Sequence, residues 1–364
     1  MSLPQAVQPS LVANHLALSR AKTLLALGLG GLLTLLAGYA LTAGRYDISL
    51  PQVAGHLLGL SEAGPAGVVV MGIRLPRILA AVSGGFALAV SGALTQSLLG
   101  NPLASPFTLG ISHAAAFGAA CGIVLFGAGG FTANAVAGSA AEIVRIGAAA
   151  TVSVCAFAGA LGATALIAAL ATLRRLSPQA MILCGVALSS LFTAGTILIQ
   201  FFADDLQLAA IVFWTFGDVS RAGWEQIAAM AGAGLAAGAF GLLARHDLNA
   251  LLAGEDVARS VGVRALPLRL AGLGLAALAT GVVVAACGVI AFLGLLAPHI
   301  ARRLVGADHG PLVLHSGLWG ALLLLGADTA GRQLAGTGAL PVGVLTSFLG
   351  APLFLLLLLR GGRT

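Results

Sequence analysis

Long uncharged apolar runs alternate with short polar breaks along this chain, and run length is the first guide to its elements. A helix needs about 20 apolar residues to cross the core of a bilayer. Residues 24–44 supply one such run. Residues 78–141 carry no charge, too long a stretch for one helix, and Asn101-Pro102-Leu103-Ala104-Ser105-Pro106 interrupts it. Two prolines and an asparagine end one helix and open another, which predicts spans over 76–99 and 107–128. The same ruler predicts spans over 146–173, 176–203, 226–244, 310–327 and 333–359. The run 270–301 contains Gly288, Gly294 and Pro298 and divides into helices near 266–286 and 289–305. Residues 206–217 are too few to cross and read as a re-entrant or surface helix. The expected fold is an all-α membrane protein with about ten transmembrane helices in a single domain, 1–364. The first span is expected to be retained, because its apolar core is longer than that of a cleaved signal.

Composition narrows the class. Of 364 residues, 59% are hydrophobic and 8% charged, against about 25% charged in a soluble domain. That excludes a soluble enzyme, a disordered chain and a nucleic-acid binder, despite the net charge of +6. Glycine, 51 residues, is about twice its usual share. Such small residues let transmembrane helices approach closely. Cys121, Cys155, Cys184 and Cys287 sit in apolar runs without metal-ligand or redox spacing and read as packing residues. No metal site and no cofactor bound by this chain is expected.

Basic residues mark cytoplasmic loops. Ten spans starting inside put Arg20, Lys22, Arg174, Arg175, Arg245, Arg259, Arg264, Arg269, Arg302, Arg303, Arg360 and Arg363 on the cytoplasmic side. Arg45, Arg74, Arg77, Arg145, Arg221 and Arg332 fall outside. Both termini are therefore expected in the cytoplasm, with residues 1–22 as an N-terminal cytoplasmic segment. Most acids lie on the outer side, Asp218 and Asp328 among them, so the outward arginines stand against the trend.

No acid or base occupies the middle of a predicted span; Asp328, at the outer end of the ninth, comes nearest. His113, His299 and His315 lie in or near spans and read first as packing residues. An ion-coupled carrier needs intramembrane titratable groups, so this chain has little for that task. A phosphate-binding loop needs lysine in a glycine-rich setting, and Lys22, the only lysine, lacks it. Active transport would thus draw on ATP hydrolysed by another chain pressing on a cytoplasmic surface. The longest such surface is 245–269. Asp247 or Asn249 is expected to cap a short helix there, Gly254 to end it, and Glu255-Asp256 to open a second helix closed by Gly262. A purely structural membrane subunit would leave this loop and the outward arginines without a role.

Several motifs occur in order: Arg74-Leu75-Pro76-Arg77; Gln96 with Gly100-Asn101-Pro102-Leu103-Ala104-Ser105-Pro106; Leu252-Ala253-Gly254-Glu255 with Arg259 and Gly262; Gly288 through His299; and Leu340-Pro341-Val342-Gly343 with Gly350-Ala351-Pro352. Over residues 20–361 the chain resembles the FecCD-type permeases, the membrane subunits of ABC importers for iron chelates, haem and vitamin B12. The resemblance implies a type II importer architecture in the inner (plasma) membrane. It also implies a homodimer, two ATPase subunits that bind ATP and Mg, and a periplasmic substrate-binding protein. By this likeness Arg74, Arg77 and Arg332 would meet acidic residues of the binding protein. Reversing the charge of Arg74 and Arg77 would then weaken docking and spare the fold. Leu252, Gly254, Glu255, Arg259 and Gly262 would form the coupling surface within 245–268. Ser177, Pro178 and Gln179 match the cytoplasmic gate, where Pro178 departs from the family pattern. His113 departs too, standing where a small or polar residue is usual; an imidazole there suits either packing or a contact with haem iron. Trp214 and Phe216 would border the pathway mouth or anchor the interface. The expected cargo is a ferric siderophore, with haem and vitamin B12 as alternatives.

Overall fold

The computed structural model describes residues 8–44, 46–61, 64–127, 139–174, 176–334 and 340–361. Arg45, Glu62, Arg175 and Arg363, which enter the sidedness count, lie outside them. Among the described residues there is no β-strand. The helices are α1 (Gln8–Thr42), α2 (Leu50–Leu57), the single turn α3 (Pro65–Gly67), α4 (Leu75–Leu98), α5 (Ile111–Leu125), α6 (Ser139–Arg174), α7 (Pro178–Phe202), α8 (Asp205–Thr215), α9 (Trp224–Leu243), α10 (Arg245–Leu252), α11 (Glu255–Ser260), α12 (Ala265–Cys287), α13 (Leu293–Val305), α14 (His309–Leu334) and α15 (Val342–Gly361). Among the described residues seven stretches are long and apolar enough to cross a membrane: Leu16–Thr42, Pro65–Leu98, Ala149–Arg174, Pro178–Phe202, Trp224–Leu243, Ala265–Cys287 and His309–Leu334. α5, α13 and the apolar part of α15, Val342–Leu356, are shorter and stand at the remaining three predicted positions.

The second span corrects the expected boundary. Helix begins at Pro65, not near residue 76, because Val68–Arg74 winds as a π-helix that runs directly into α4. Pro76 has no N–H to donate to the preceding turn. The wider turn ends with Leu75 N–H donating to the Val70 carbonyl, five residues back, a pattern that suits a helix interrupted by a local insertion.

The break at 100–110 is built as the sequence suggested. Gly100 takes a left-handed conformation, φ +57°, and Asn101 N–H reaches the Gln96 carbonyl at 3.0 Å. That is a Schellman stop. Asn101 Oδ1 then accepts from Leu103 N–H, Ser105 and Thr108 cap each other, and α5 restarts behind Gly110 at φ +80°.

α4 sits at the centre, packed by α9, α12, α13 and α14, while α5, α6 and α7 form a second group joined to it through α12. In the Pro65–Leu98 span 78% of the apolar window is buried, against 11% in α7. Glycine makes the central crossings possible. A Cβ on Gly92 would lie 1.7 Å from the Gly294 carbonyl oxygen of α13, and one on Gly85 would lie 2.4 Å from that of Gly320 on α14. The backbones touch with no side chain between them, as in close transmembrane crossings.

Overpacking one of these crossings cannot be absorbed by a rotamer change. Gly92→Leu is expected to destabilise the protein by ~3 kcal/mol or more. Gly28→Leu, where no neighbour lies within 4 Å, should leave stability unchanged. Thermal unfolding of the purified protein in detergent compares the two.

Candidate functional site

The outward arginines and the loop residues lie at the two ends of α4, whereas Ser177, Pro178 and Gln179 open α7 and His113 lies on α5. At the Arg77 end, Asp328 of α14 is fully buried. Arg77 donates to it through Nε (3.0 Å to each carboxylate oxygen) and through a terminal nitrogen at 2.8 Å. Arg332, one turn along α14, brings its Nε to 3.4 Å from the same carboxylate and its terminal nitrogens to 3.4 and 3.5 Å from the Ala40 carbonyl. Asp218 approaches Arg77 at 3.7 Å. Arg74 is 5% exposed; its guanidinium donates to the carbonyls of Leu41 (2.6 Å), Thr42 (2.9 Å) and Tyr46 (2.6 Å), at and just beyond the end of α1.

Each of the three arginines expected to face a binding protein has partners within this chain. Arg74 points inward and ties the α1 exit to the start of α4. Arg77 and Arg332 keep only 12% and 15% of their side chains exposed and share Asp328. Charge reversal at Arg77 would set a glutamate against two aspartates in a buried place, so the fold would not be spared. Arg77 and Arg332 are thus matched by the carboxylates of Asp328 and Asp218.

Nearby, Arg221 closes the end of α8. It donates to the carbonyls of Phe213, Trp214 (3.1 Å) and Phe216 (3.0 Å). Trp214 and Phe216 are half-buried, while Phe213 is the exposed aromatic of the group. Three backbones meet beside them: Gly343 N–H donates to the Gly217 carbonyl at 2.9 Å, and a Cβ on either glycine would fall within 2.5 Å of the Val289 carbonyl oxygen. The Leu340–Val344 and Gly288–His299 motifs therefore contribute close approach of main chain at this junction.

At the Ser97 end, α10 and α11 form the expected two-helix loop. Gly254 at φ +115° and Gly262 at φ +88° make its turns. Ala258 is buried against the body, whereas Leu252 (42%), Val257 (48%) and Val261 (66%) are exposed apolar side chains on its surface. Glu255 is the tether. One carboxylate oxygen receives Arg259 at 2.6 Å, the other receives Arg269 at 2.7 Å, and Arg269 Nε also donates to the Leu98 carbonyl at 3.0 Å. The Arg269 hydrogen bond holds the Glu255 carboxyl below the usual carboxylate range, with Arg259 assisting against partial burial.

The expected cap by Asp247 or Asn249 is corrected. α10 follows α9 after only Ala244, Asp247 sits in its first turn without capping it, and the Asn249 side chain instead contacts Asp308 and His309 at the start of α14. Sequence reasoning missed Asn249, Arg269 and Asp308 as partners, because their contacts join segments far apart in the chain.

Ser177 caps α7 by accepting from Ala180 N–H, Pro178 takes the first helical position, and Gln179 is exposed. Gln96 donates to the Leu295 carbonyl and faces Arg302 at 3.4 Å. His113 stands edge-on to Phe107 with ring centroids 4.9 Å apart, and its buried Nδ1 has no hydrogen-bond partner. The four cysteines are free thiols, Cys287 buried and the others partly so. Among the described residues no His, Cys, Asp and Glu cluster has metal-binding geometry.

Arginines sharing Asp328 thus stand at one end of α4, and a two-helix loop tethered through Arg269 stands at the other. The family model of the FecCD transport family matches residues 32–360. This chain belongs to that family. A Methanocaldococcus jannaschii protein named as an ABC transporter permease is 51% identical over 88% of this chain and 90% of its own length. The hemin transport system permease protein HmuU of Yersinia pestis is 37% identical over 80% and 83%. A solved structure, described as an inward-facing conformation of a metal-chelate type ABC transporter, superposes with TM-score 0.77 at 31% identity, covering 92% of this chain and 99% of that one. The chain is thus a multi-pass ABC importer permease, and membership implies ATPase and substrate-binding partners.

Removing one member of a buried ion cluster strands the others, at a cost of about 3–5 kcal/mol; Arg77→Glu and Asp328→Ala should each lower the thermal midpoint in detergent sharply. At the loop, a depressed carboxylate pKa means stability that is present above the ordinary glutamate value and lost as pH falls through the lower folded value. Amide exchange of residues 255–262 should therefore stay protected through the ordinary glutamate range and rise only at more acidic pH, and Glu255→Gln should remove that acid step.

Proposed function

We propose that this chain, as a homodimer, carries a ferric siderophore inward across the plasma membrane, driven by two ATPase subunits bound to loop 245–268. The observation that carries the reading is the loop itself. It exposes Leu252, Val257 and Val261 where a groove on a partner would bury them, and it is tied through Glu255 and Arg269 to the last turn of α4. A push on the loop therefore reaches the central helix. On this reading the loop end is cytoplasmic. Lys22 belongs to the same end, since its carbonyl meets His315 of α14, in keeping with cytoplasmic termini.

The arginine end would face the substrate-binding protein. With Arg74 turned inward, the docking charge falls to Arg77 and Arg332, held in place by Asp328, and arginine suits carboxylate partners. Ser177, Pro178 and Gln179 would frame the cytoplasmic gate, and Trp214 and Phe216 the outer mouth. The cargo assignment draws on the metal-chelate transporter of like structure. Hemin is a second reading, favoured by the likeness to HmuU and by the unpartnered Nδ1 of His113, an atom able to ligate iron.

Proteoliposomes holding the permease with its ATPase and binding protein test this. Ferric hydroxamate should accumulate only with ATP on the ATPase side. Replacing Glu255 with Gln and Arg259 with Ala should cut uptake about tenfold, roughly the worth of one charge-assisted contact, without loss of membrane insertion. Accumulation driven by an ion gradient without ATP would refute the proposal. Uptake of hemin but not ferric hydroxamate, abolished by His113→Ala, would favour the second reading.

A further inference from the structure

A fully buried imidazole joins the loop to two spans. His309, the first residue of α14, is 0% exposed. Its Nδ1 lies 2.6 Å from Asn249 Oδ1 on α10, and its Nε2 lies 2.6 Å from Ser97 Oγ in the last turn of α4. The partners fix the protons. Asn249 Nδ2 donates to the Asp308 carboxylate at 2.8 Å, so Asn249 Oδ1 faces His309 and accepts both its backbone N–H, at 3.0 Å, and its Nδ1–H. In the neutral ring, Nε2 is then an acceptor and takes the Ser97 hydroxyl proton. Ser97 has a competing acceptor in its own helix, the Ala93 carbonyl at 2.8 Å, and one proton serves one acceptor. The imidazole thus competes with the Ala93 carbonyl for the Ser97 proton.

The second link of the loop ends one residue away. Arg269 carries Glu255 of α11 to the carbonyl of Leu98. The two halves of the loop therefore converge on consecutive residues of α4: α10 on Ser97 through His309, and α11 on Leu98 through Arg269. Further along α4, Gly92 and Gly85 meet α13 and α14 backbone against backbone.

We propose that His309 is a positioning residue for energy coupling, transmitting displacement of α10 to α4 and α14. This rests on the reading of the loop as the ATPase surface, and the test separates the two. In proteoliposomes with the ATPase and binding protein, uptake of ferric hydroxamate and ATP hydrolysis are measured together, alongside the thermal midpoint. His309→Leu and Ser97→Ala should each lower uptake per ATP hydrolysed by roughly fivefold or more, a usual size for coupling between two sites, while hydrolysis continues. His309→Gln, which can still reach Ser97, should recover more of the ratio than His309→Leu. Ser97→Ala removes one hydroxyl and keeps the test open if His309→Leu fails to fold. An unchanged ratio in Ser97→Ala, or uptake and hydrolysis falling in step with the thermal midpoint, overturns the proposal. If the Glu255 and Arg259 variants lower uptake but Ser97→Ala does not, the inference about His309 fails alone. If the Glu255 and Arg259 variants also behave as wild type, the reading of the loop fails with it.

Discussion

Main chain pressed against main chain is the constraint on which this protein depends. In lipid there is little hydrophobic gain from bringing helices together, so van der Waals contact must supply the attraction. Gly85 against Gly320 and Gly92 against Gly294 place α4 so close to α14 and α13 that no side chain fits between them. The Asp328 ion cluster and the two-helix loop are then fastened to the two ends of that one helix. Close-packed interiors of this kind have low compressibility.

The ends are built differently. At one, Asp328 gathers Arg77 and Arg332 in a place nearly without water, where each charge depends on the others. At the other, Glu255, Arg259 and Arg269 form a half-exposed set that is adjustable and screened by solvent. Buried ion clusters hold a geometry, whereas exposed ones contribute little to stability. The first end suits a fixed platform and the second a part that shifts during a cycle.

Much of this was legible in the sequence. Charge-free runs located the spans, since bilayer thickness sets their length, and Asn101 through Pro106 marked a true break. The loop at 245–262 was legible because Gly254 and Gly262 have no better use than positive φ, and both adopt it. The start of the second span was misplaced: Pro76 reads as a helix beginning, and nothing local announces that the preceding turn will widen to accept it. The arginines were visible but their direction was not. Arg74 bonds to carbonyls of the α1 exit, and Arg77 to Asp328, a residue 251 positions away. Sidedness counting assigns a residue to a face of the membrane and says nothing about whether its head turns inward. His309, and the pairing of Asn249 with it, escape sequence reasoning for the same reason: their meaning lies in a partner from another part of the chain.

The widened turn at Val68–Arg74 has a consequence for how this region can change. Each residue added to or removed from a helix rotates the remainder of that helix by ~100°. Arg74 finds the carbonyls of Leu41, Thr42 and Tyr46 from the last position of that turn, immediately ahead of the Leu75-Pro76 start of α4. Loss of a single residue between 68 and 73 would let the segment relax to ordinary α-helix and swing the arginine's anchor out of phase with the α1 exit. The spacing of this stretch is thus set more strictly than its composition at the exposed Val68, where another apolar residue would serve; the buried Val70 is held by packing as well.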